Sequence, residues 1–251
     1  MPAGHVRKNR RFWDREAAEY QGKHGERLTE TARAWGVWRI PEADLGVLGD
    51  VQGRDVLELG CGGGQWSIAL AGQGARAVGI DLSRKQLEHA RRAVRRGSVP
   101  LPLVQASAEE LPFHDASFDL VFCDHGAVGF ADPRLAVPEA ARVLRPNGVL
   151  AFSLGSPMYF MCWNPTTERV DGRLHADYWD MRSEDDEDAV VFQLPYGEWI
   201  ELFTGNGLQV ERLLHLRPSE EAMTTYQDFV SRRWARRWPA EDLWVVRKSA
   251  P

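Results

Sequence analysis

Residues 56–66 read VLELGCGGGQW, and this stretch decides the fold of the 251-residue chain. A short apolar strand, Arg54–Leu59, runs into glycines at positions 60, 62, 63 and 64, and Gln65–Ala71 is then predicted to be helical. Glycines in such a turn permit unusual backbone dihedrals and let a ligand approach the main chain closely. The helix that follows presents free N–H groups at its first turn. The stretch therefore predicts a strand, a ligand-binding turn and a helix.

Outward from this stretch, strands and helices alternate regularly. Short apolar strands separated by helices predict a parallel sheet that is covered on both faces. We predict an α/β fold: a Rossmann-like, doubly wound sheet of seven strands, six parallel and one antiparallel at the C-terminal end. The further strands are predicted at Arg76–Ile80, Leu101–Gln105, Phe118–Cys123, Val149–Leu154, Leu208–Leu216 and Leu243–Arg247, and the further helices at Ser83–Arg96, Pro133–Leu144, Tyr196–Thr204 and Glu220–Trp238.

Two segments stand outside this alternation. Residues 1–50 are predicted to form a helical N-terminal cap, with helices at Asn9–Tyr20 and Thr29–Ile40. Residues 51–251 are predicted to form the main domain, on which this cap packs. Residues 155–195 form an insertion after strand five that is too long for an ordinary connection. We predict that the insertion is a substrate lid. The alternatives are that it forms a second small core or a dimer contact, and the second of these would make the protein a homodimer.

Composition excludes several classes of protein. The net charge of −5 disfavours nucleic acid as a partner. No run of 18 apolar residues is present, so no membrane-spanning helix is expected, and the first residues lack the apolar stretch of a secretory signal. The three cysteines are too few and too widely spaced for a disulfide scaffold or a CxxC zinc site. A cytoplasmic location is the simplest expectation.

The side chains around the glycine turn indicate what it binds. The dinucleotide pattern GxGxxG fails at Gln65, which disfavours a nicotinamide oxidoreductase. Glu58, at the end of the strand, suits a ligand that carries an ammonium group. Asp81 ends the second strand, where an acid in a doubly wound fold accepts hydrogen bonds from ribose hydroxyls, although it could instead cap the following helix.

Four motifs in this order resemble the core of class I S-adenosylmethionine-dependent methyltransferases, of the type 11 group that acts on small molecules. They are VLELGCGGG, VGIDLS, QASAEELPFHDASFDLVFC and EAARVLRPNGVLAFS, which follow one another within the stretch of about a hundred residues from Arg54 to Leu154. The resemblance implies S-adenosyl-L-methionine as the cofactor and S-adenosyl-L-homocysteine as its product. It says little about the methyl acceptor.

The resemblance also implies roles for single residues. The methionine end of the cofactor would meet the glycine turn, the ribose would meet Asp81, and the adenine would lie against the residues after strand three. Many relatives have an aspartate where this chain has Ser107, so either Ser107 or Glu109 would accept from the adenine amino group. The cofactor-binding residues implied in this way are Glu58, Gly60, Cys61, Gly62, Asp81, Leu82, Ser107, Ala108, Glu109 and Asp124, with Trp13 and Tyr20 from the N-terminal segment.

The chemistry is expected beyond the carboxyl ends of the strands, near residues 123–130. His125 is the best candidate for a general base. The alternative is that it lines the site without taking part in proton transfer. We expect no metal site, because no Asp-Asn pair follows Asp124 at the spacing that magnesium-dependent relatives use. The [DN]-P-P-[YFW] motif of base-modifying enzymes is also absent after strand four. A non-catalytic binding protein and a protein or RNA methyltransferase remain the alternatives.

Aromatic residues are concentrated outside the predicted core. Only Trp66 of the ten tryptophans, and none of the five tyrosines, lies between Arg54 and Leu154. Within the insertion, MYFMCW at 158–163 is a dense group of soft and aromatic side chains. Such walls suit a flat or apolar ligand. We therefore predict an aromatic or apolar small-molecule acceptor, with O, N or C as the methylated atom.

Overall fold

A computed structural model describes residues 4–97, 99–181, 183–185 and 188–250, with the backbone alone at Glu184. Residues 1–3 of the predicted cap, and residues 182, 186 and 187 of the predicted insertion, lie outside the described part. Among the described residues, no helix has both the length and the hydropathy needed to cross a membrane.

Seven strands form one mixed sheet in the order β6-β7-β5-β4-β1-β2-β3. Strand β7 runs antiparallel to both of its neighbours, and the other strands are parallel to one another. The predicted doubly wound sheet, with six parallel strands and an antiparallel final strand, is therefore confirmed. The strands are β1 (Asp55–Leu59), β2 (Arg76–Asp81), β3 (Leu103–Gln105), β4 (Phe118–Asp124), β5 (Leu144–Gly155), β6 (Leu208–His215) and β7 (Glu241–Lys248).

Helices cover the sheet on both faces. Successive residues of a strand point to opposite faces, so Leu57 and Val121 pack with α5 and α7, whereas Val56 and Leu120 pack with α3. The helices are α1 (Gly4–Glu30), α2 (Glu42–Leu45), α3 (Gln65–Ala71), α4 (Arg84–Arg96), α5 (Pro133–Val143), α6 (Pro157–Cys162), α7 (Tyr196–Gly205) and α8 (Arg232–Ala235).

The N-terminal cap differs from its prediction. The first predicted helix is part of the longer α1, but the second, Thr29–Ile40, is wrong. Residues Ala34–Trp35 and Ile40–Pro41 pair as two short antiparallel strands around a tight turn, residues 36–39. We call these four residues the cap turn. Gly36 and Arg39 have positive φ angles of 70° and 53°, which no helix accommodates.

The predicted helix Glu220–Trp238 is also wrong, because only its Arg232–Ala235 part is helical. The preceding residues form turns that contact the cap. Thr224 donates its hydroxyl to the carbonyl of Val37 over 2.6 Å, and Thr225 lies 2.7 Å from Nδ1 of His24 in α1. These bonds to distant residues hold the segment in a non-helical path.

The insertion packs beside α1. It contains α6 and two short hairpins, Trp163–Asn164 with Arg169–Val170 and Ser183–Asp185 with Val190–Phe192. The fully buried amide of Asn9 in α1 exchanges two hydrogen bonds with the backbone of Val190, at 2.8 and 2.7 Å, and donates a third to the carbonyl of Phe130. Asn9 thus fastens α1 to the insertion.

Candidate cofactor and acceptor site

The glycine turn joins β1 to α3 and has a backbone that only glycine adopts readily. Gly60, Gly62 and Gly64 have φ angles of 71°, 52° and 76°. A Cβ atom on Gly60 would also collide with the backbone nitrogen of Ala127, in the loop after β4. The turn therefore lies directly against that loop, and both border the same cavity.

Glu58 lies beneath the glycine turn with its side chain buried. One carboxylate oxygen accepts hydrogen bonds from both the backbone nitrogen and the hydroxyl of Ser67, in the first turn of α3. Burial raises the pKa of Glu58 to about 8, although the two bonds from Ser67 act in the opposite direction. Glu58 thereby connects the end of β1 to α3 while it borders the cavity.

Asp81 connects the end of β2 to the glycine turn. Its two carboxylate oxygens accept hydrogen bonds from the backbone nitrogens of Gly62 and Ser83, each over 2.8 Å. Burial raises the pKa of Asp81 to about 6, and the two backbone hydrogen bonds limit that rise. Each oxygen keeps capacity for another donor, as ribose hydroxyls require.

The loop after β3 supplies the next part of the cavity wall. Ser107, Ala108 and Glu109 line it together with Leu82. Ser107 Oγ accepts a hydrogen bond of 3.2 Å from the nitrogen of Glu109. One oxygen of Glu109 is held by His5 Nε2 at 2.6 Å and by the nitrogen of Asp132 at 2.8 Å. Glu109 is therefore anchored in place, and its other oxygen has no partner among the described residues.

Aromatic side chains cover the cavity. Trp13 of α1 makes edge contacts with Tyr20 and Phe130, with ring centroids 5.5 and 5.1 Å apart. The hydroxyls of Tyr20 and Tyr226 lie 2.6 Å apart. We call Trp13, Tyr20, the cap turn and Tyr226 the roof of the cavity. The roof joins the N-terminal cap to the segment before α8.

Asp124, at the end of β4, holds the cap turn. Its carboxylate accepts from the nitrogen of Gly36 and from Arg39 Nη1, both over 2.8 Å, and also from Trp66 Nε1 and Ser153 Oγ. Burial alone would raise its pKa, but the positive charge of Arg39 and these donors lower it below its ordinary value. Asp124 is thus an ionised anchor whose four partners belong to the protein.

His125 follows Asp124 and also lines the cavity. Its Nε2 lies 2.6 Å from the fully buried carboxylate of Glu241, the first residue of β7. Burial opposes protonation of His125, but the ion pair with Glu241 outweighs it, so the pKa of His125 is raised above its ordinary value. His125 therefore carries a proton more readily than a free histidine does.

All of the side chains and glycines predicted as site residues line one cavity. The sequence missed several other lining residues. Phe130 ends the loop that the sequence singled out, and Gln21 follows Tyr20 directly, so both were within reach of prediction. Arg39 and Tyr226 were not, because both belong to segments that were wrongly predicted to be helical. None of the described residues in 155–195 lines this cavity.

The described residues suit S-adenosylmethionine. Gly60 and Gly62 line the cavity without side chains of their own, so a ligand can approach the backbone of the turn closely. A buried carboxylate, Asp81, stands beside it for the ribose, and aromatic faces lie opposite for a sulfonium cation. The described part of the chain contains no group of three or more His, Cys, Asp or Glu side chains that could hold a metal ion.

Residues 57–152 match the family model described as a methyltransferase domain. This part of the chain is a class I S-adenosylmethionine-dependent methyltransferase domain. The predicted family is thus confirmed, and S-adenosylmethionine is its cofactor. The matched residues contain β1 from its third residue, β2, β3, β4 and most of β5, with the glycine turn, Asp81 and His125.

Two curated relatives show how far the similarity extends. The chain is 38% identical over 112 residues to a demethylmenaquinone methyltransferase of Clavibacter sepedonicus, covering 45% of the chain and 44% of the relative. It is 40% identical over 111 residues to a ubiquinone biosynthesis O-methyltransferase of Paracidovorax citrulli, covering 42% and 45%. The chain thus spans less than half the length of these relatives.

The fold extends further than the sequence similarity. The crystal structure of an S-adenosylmethionine-dependent methyltransferase from Mesorhizobium loti covers 82% of this chain and 96% of its own, with a TM-score of 0.67 and 23% identity. That likeness extends the shared fold well beyond the matched domain.

Proposed function

We propose that this protein transfers the methyl group of S-adenosylmethionine to a small-molecule acceptor. The observation that carries the proposal is one cavity that joins the glycine turn, the Asp81 carboxylate and an aromatic roof. The first two suit the amino acid and ribose parts of the cofactor. The third encloses a space beside them in which an acceptor can be aligned and water excluded.

The cofactor supplies an electrophilic methyl group when it is bound. In our proposal, Asp81 accepts hydrogen bonds from the ribose hydroxyls through the lone pairs that Gly62 and Ser83 leave free. The turn at Gly60–Gly62, with Glu58 beneath it, faces the methionine end. Residues 107–109 border the adenine. Trp13 offers its ring to the sulfonium cation.

An aromatic or apolar acceptor is supported by the roof and by the relatives. The roof presents Trp13, Tyr20 and Tyr226 to the cavity. Of the two relatives described above, one is named a demethylmenaquinone methyltransferase and the other a ubiquinone biosynthesis O-methyltransferase. The lid role of the insertion stays a prediction, in which the insertion acts through α1, to which Asn9 fastens it. The cytoplasmic location and the homodimer also stay predictions.

Calorimetry with S-adenosylhomocysteine, S-adenosylmethionine and NAD tests the cofactor. We expect micromolar binding of the first two and none of NAD, and NAD binding without sulfonium binding would overturn the proposal. Transfer is then measured with cofactor that is radiolabelled in its methyl group and a panel of phenols, catechols, hydroquinones, amines and short peptides. Label in a small molecule supports the proposal. Binding without label in any acceptor favours the non-catalytic alternative, and label in a peptide contradicts a small-molecule acceptor.

A further inference from the structure

A buried carboxylate, that of Glu241, lies behind the cavity wall and contacts His125, which lines the cavity. Glu241 has no exposed surface, and one of its oxygens accepts from His125 Nε2 at 2.6 Å and from the nitrogen of Val37 at 2.7 Å. A Cβ on Gly36 would collide with the same oxygen. The cap turn therefore covers Glu241, and His125 is the titratable side chain that joins this carboxylate to the cavity.

The imidazole of His125 is fixed in direction. Its backbone, with a φ angle of 49°, donates to the carbonyl oxygen and hydroxyl of Ser153, each at 3.2 Å. The ring of Phe229 meets it edge to face at 5.6 Å. A quarter of the side chain stays exposed, and His125 lines the cavity. With Nε2 turned to Glu241, Nδ1 is the ring nitrogen that no described residue contacts by a hydrogen bond.

The charges that face His125 come from three elements. Glu241 of β7 and Asp124 of β4 favour its protonated form, while Arg39 of the cap turn opposes it. Asp124 forms an ion pair with Arg39 at 2.8 Å. Glu241 is therefore the carboxylate that pairs with His125. The second oxygen of Glu241 is buried without a hydrogen-bond partner in the described part of the chain. The charge of such a buried carboxylate is stabilised by its ion-pair partner, here the imidazole of His125.

We propose that Glu241 is a positioning residue that keeps a proton on Nε2 of His125, so that Nδ1 takes the proton of a hydroxyl acceptor during methyl transfer. The inference rests on the proposed function and narrows its substrate class to small molecules with an acidic hydroxyl, such as phenols. In this arrangement a carboxylate orients an imidazole and stabilises the imidazolium that forms.

The step balances in atoms and charge. The acceptor oxygen forms a bond to the methyl carbon as the carbon–sulfur bond breaks, and the sulfur keeps that electron pair. The hydroxyl proton moves to Nδ1. A positive charge is lost at sulfur and one appears on His125, where the carboxylate of Glu241 already compensates it. Proton release to solvent then restores the neutral ring.

Nitrogen-detected NMR of histidine side chains tests the inference on the wild-type protein, without an acceptor. The His125 signal is assigned by its absence from His125→Asn. We expect a pKa above the ordinary histidine value and, once the ring is neutral, a proton on Nε2. A neutral ring with its proton on Nδ1, or a pKa at or below the ordinary value, would overturn the proposal. This measurement stands even where a variant fails to fold.

Glu241→Gln removes the charge and keeps an oxygen that can accept from Val37. We expect the pKa of His125 to fall below its wild-type value, because the carboxylate that raises it is gone. Asp242→Asn is the matched control, because Asp242 is the neighbouring buried carboxylate of β7 and contacts His215 at 2.7 Å. It should leave the titration of His125 unchanged. Equal pKa values for His125 in wild type and Glu241→Gln would refute the role of Glu241.

Binding of S-adenosylhomocysteine separates this inference from the proposed function. Glu241→Gln should bind it within about threefold of wild type, because Glu241 is not among the residues that line the cavity. If wild type does not bind it, the proposed function fails whatever His125 does. If wild type binds it and His125 titrates as an ordinary histidine, only the present inference fails.

Discussion

Replacing Asp81 by asparagine is the sharpest test of the cofactor site. In the structure, each carboxylate oxygen of Asp81 already accepts one backbone N–H at 2.8 Å, from Gly62 and from Ser83. A carboxylate has about four acceptor positions, so two remain for the ribose hydroxyls. Asparagine has one carbonyl oxygen and an NH₂ group that donates. One backbone N–H then faces a donor, and one ribose hydroxyl loses its acceptor.

The expected loss follows from these contacts. A hydrogen bond to a charged group contributes about 1.5–3 kcal/mol, and Asp81→Asn removes one of the two to the ribose while the other becomes neutral. Since about 1.4 kcal/mol corresponds to a tenfold change in affinity, the Kd for S-adenosylhomocysteine should rise roughly 10- to 150-fold. Protonation should weaken binding similarly, because burial raises the pKa of Asp81 to about 6. Wild-type affinity should therefore fall about tenfold between pH 7.5 and pH 5.

Calorimetry at several pH values measures both effects. Asp14→Asn is the matched control, because Asp14 also contacts the start of α4, through the Ser83 hydroxyl at 2.7 Å, yet does not line the cavity. It should change the Kd less than threefold, and Asp81→Asn should lose the pH dependence between 5 and 7.5. Unchanged binding by Asp81→Asn with a folded circular dichroism spectrum would refute the assignment of Asp81 to the ribose.

Three further predictions concern stability. Gly60→Ala should lower Tm by several degrees and abolish binding of S-adenosylhomocysteine, because φ is 71° and the new methyl group meets Ala127; an unchanged Tm would contradict this. Asn9→Ala removes the partner of two buried backbone groups at Val190 and of a partly buried carbonyl in the loop after β4. It should cost about 2 kcal/mol or more, with faster hydrogen exchange in α1. Glu58, with its pKa raised to about 8, holds a proton in the folded state that the unfolded chain lacks at pH 7. The free energy of unfolding should thus fall by about 1 kcal/mol from pH 7 to pH 9, and denaturant titrations of Glu58→Gln should show a smaller fall than those of wild type.

The parts of the fold that depend on local sequence could be predicted. The β1 strand, the glycine turn and α3 follow one another within 17 residues, and their pattern specifies them without help from the rest of the chain. Asp81 was recognisable because parallel strands end at the same edge of the sheet, so an acid at the end of β2 must lie beside the turn after β1. The same reasoning placed His125 at the cavity.

The cap turn and the segment before α8 could not be predicted, because their conformations depend on distant partners. Residues 29–40 have helical spacing of apolar side chains, but the nitrogens of Gly36 and Val37 bond to Asp124 and Glu241. Residues 220–231 likewise bond to α1 and to the cap turn. In both places tertiary hydrogen bonds between residues about 90 to 200 positions apart outweigh a weak local preference for helix.

The roof lies outside the part of the sequence that matches the methyltransferase family, and this affects how the acceptor should be identified. Residues 57–152, which match the methyltransferase family, hold the cavity-lining residues from Glu58 to His125. The roof and Glu241 all lie outside that range. In our proposal an acceptor contacts the roof as well as the core, so similarity that is confined to the core does not identify the shape of the acceptor. The relatives' quinone-related names therefore justify including phenols in a first screen, whereas the choice among them must come from variants of Trp13, Val37 and Tyr226. If substitutions at those three positions left the acceptor preference unchanged, the roof would not determine acceptor specificity. The core residues would then determine it.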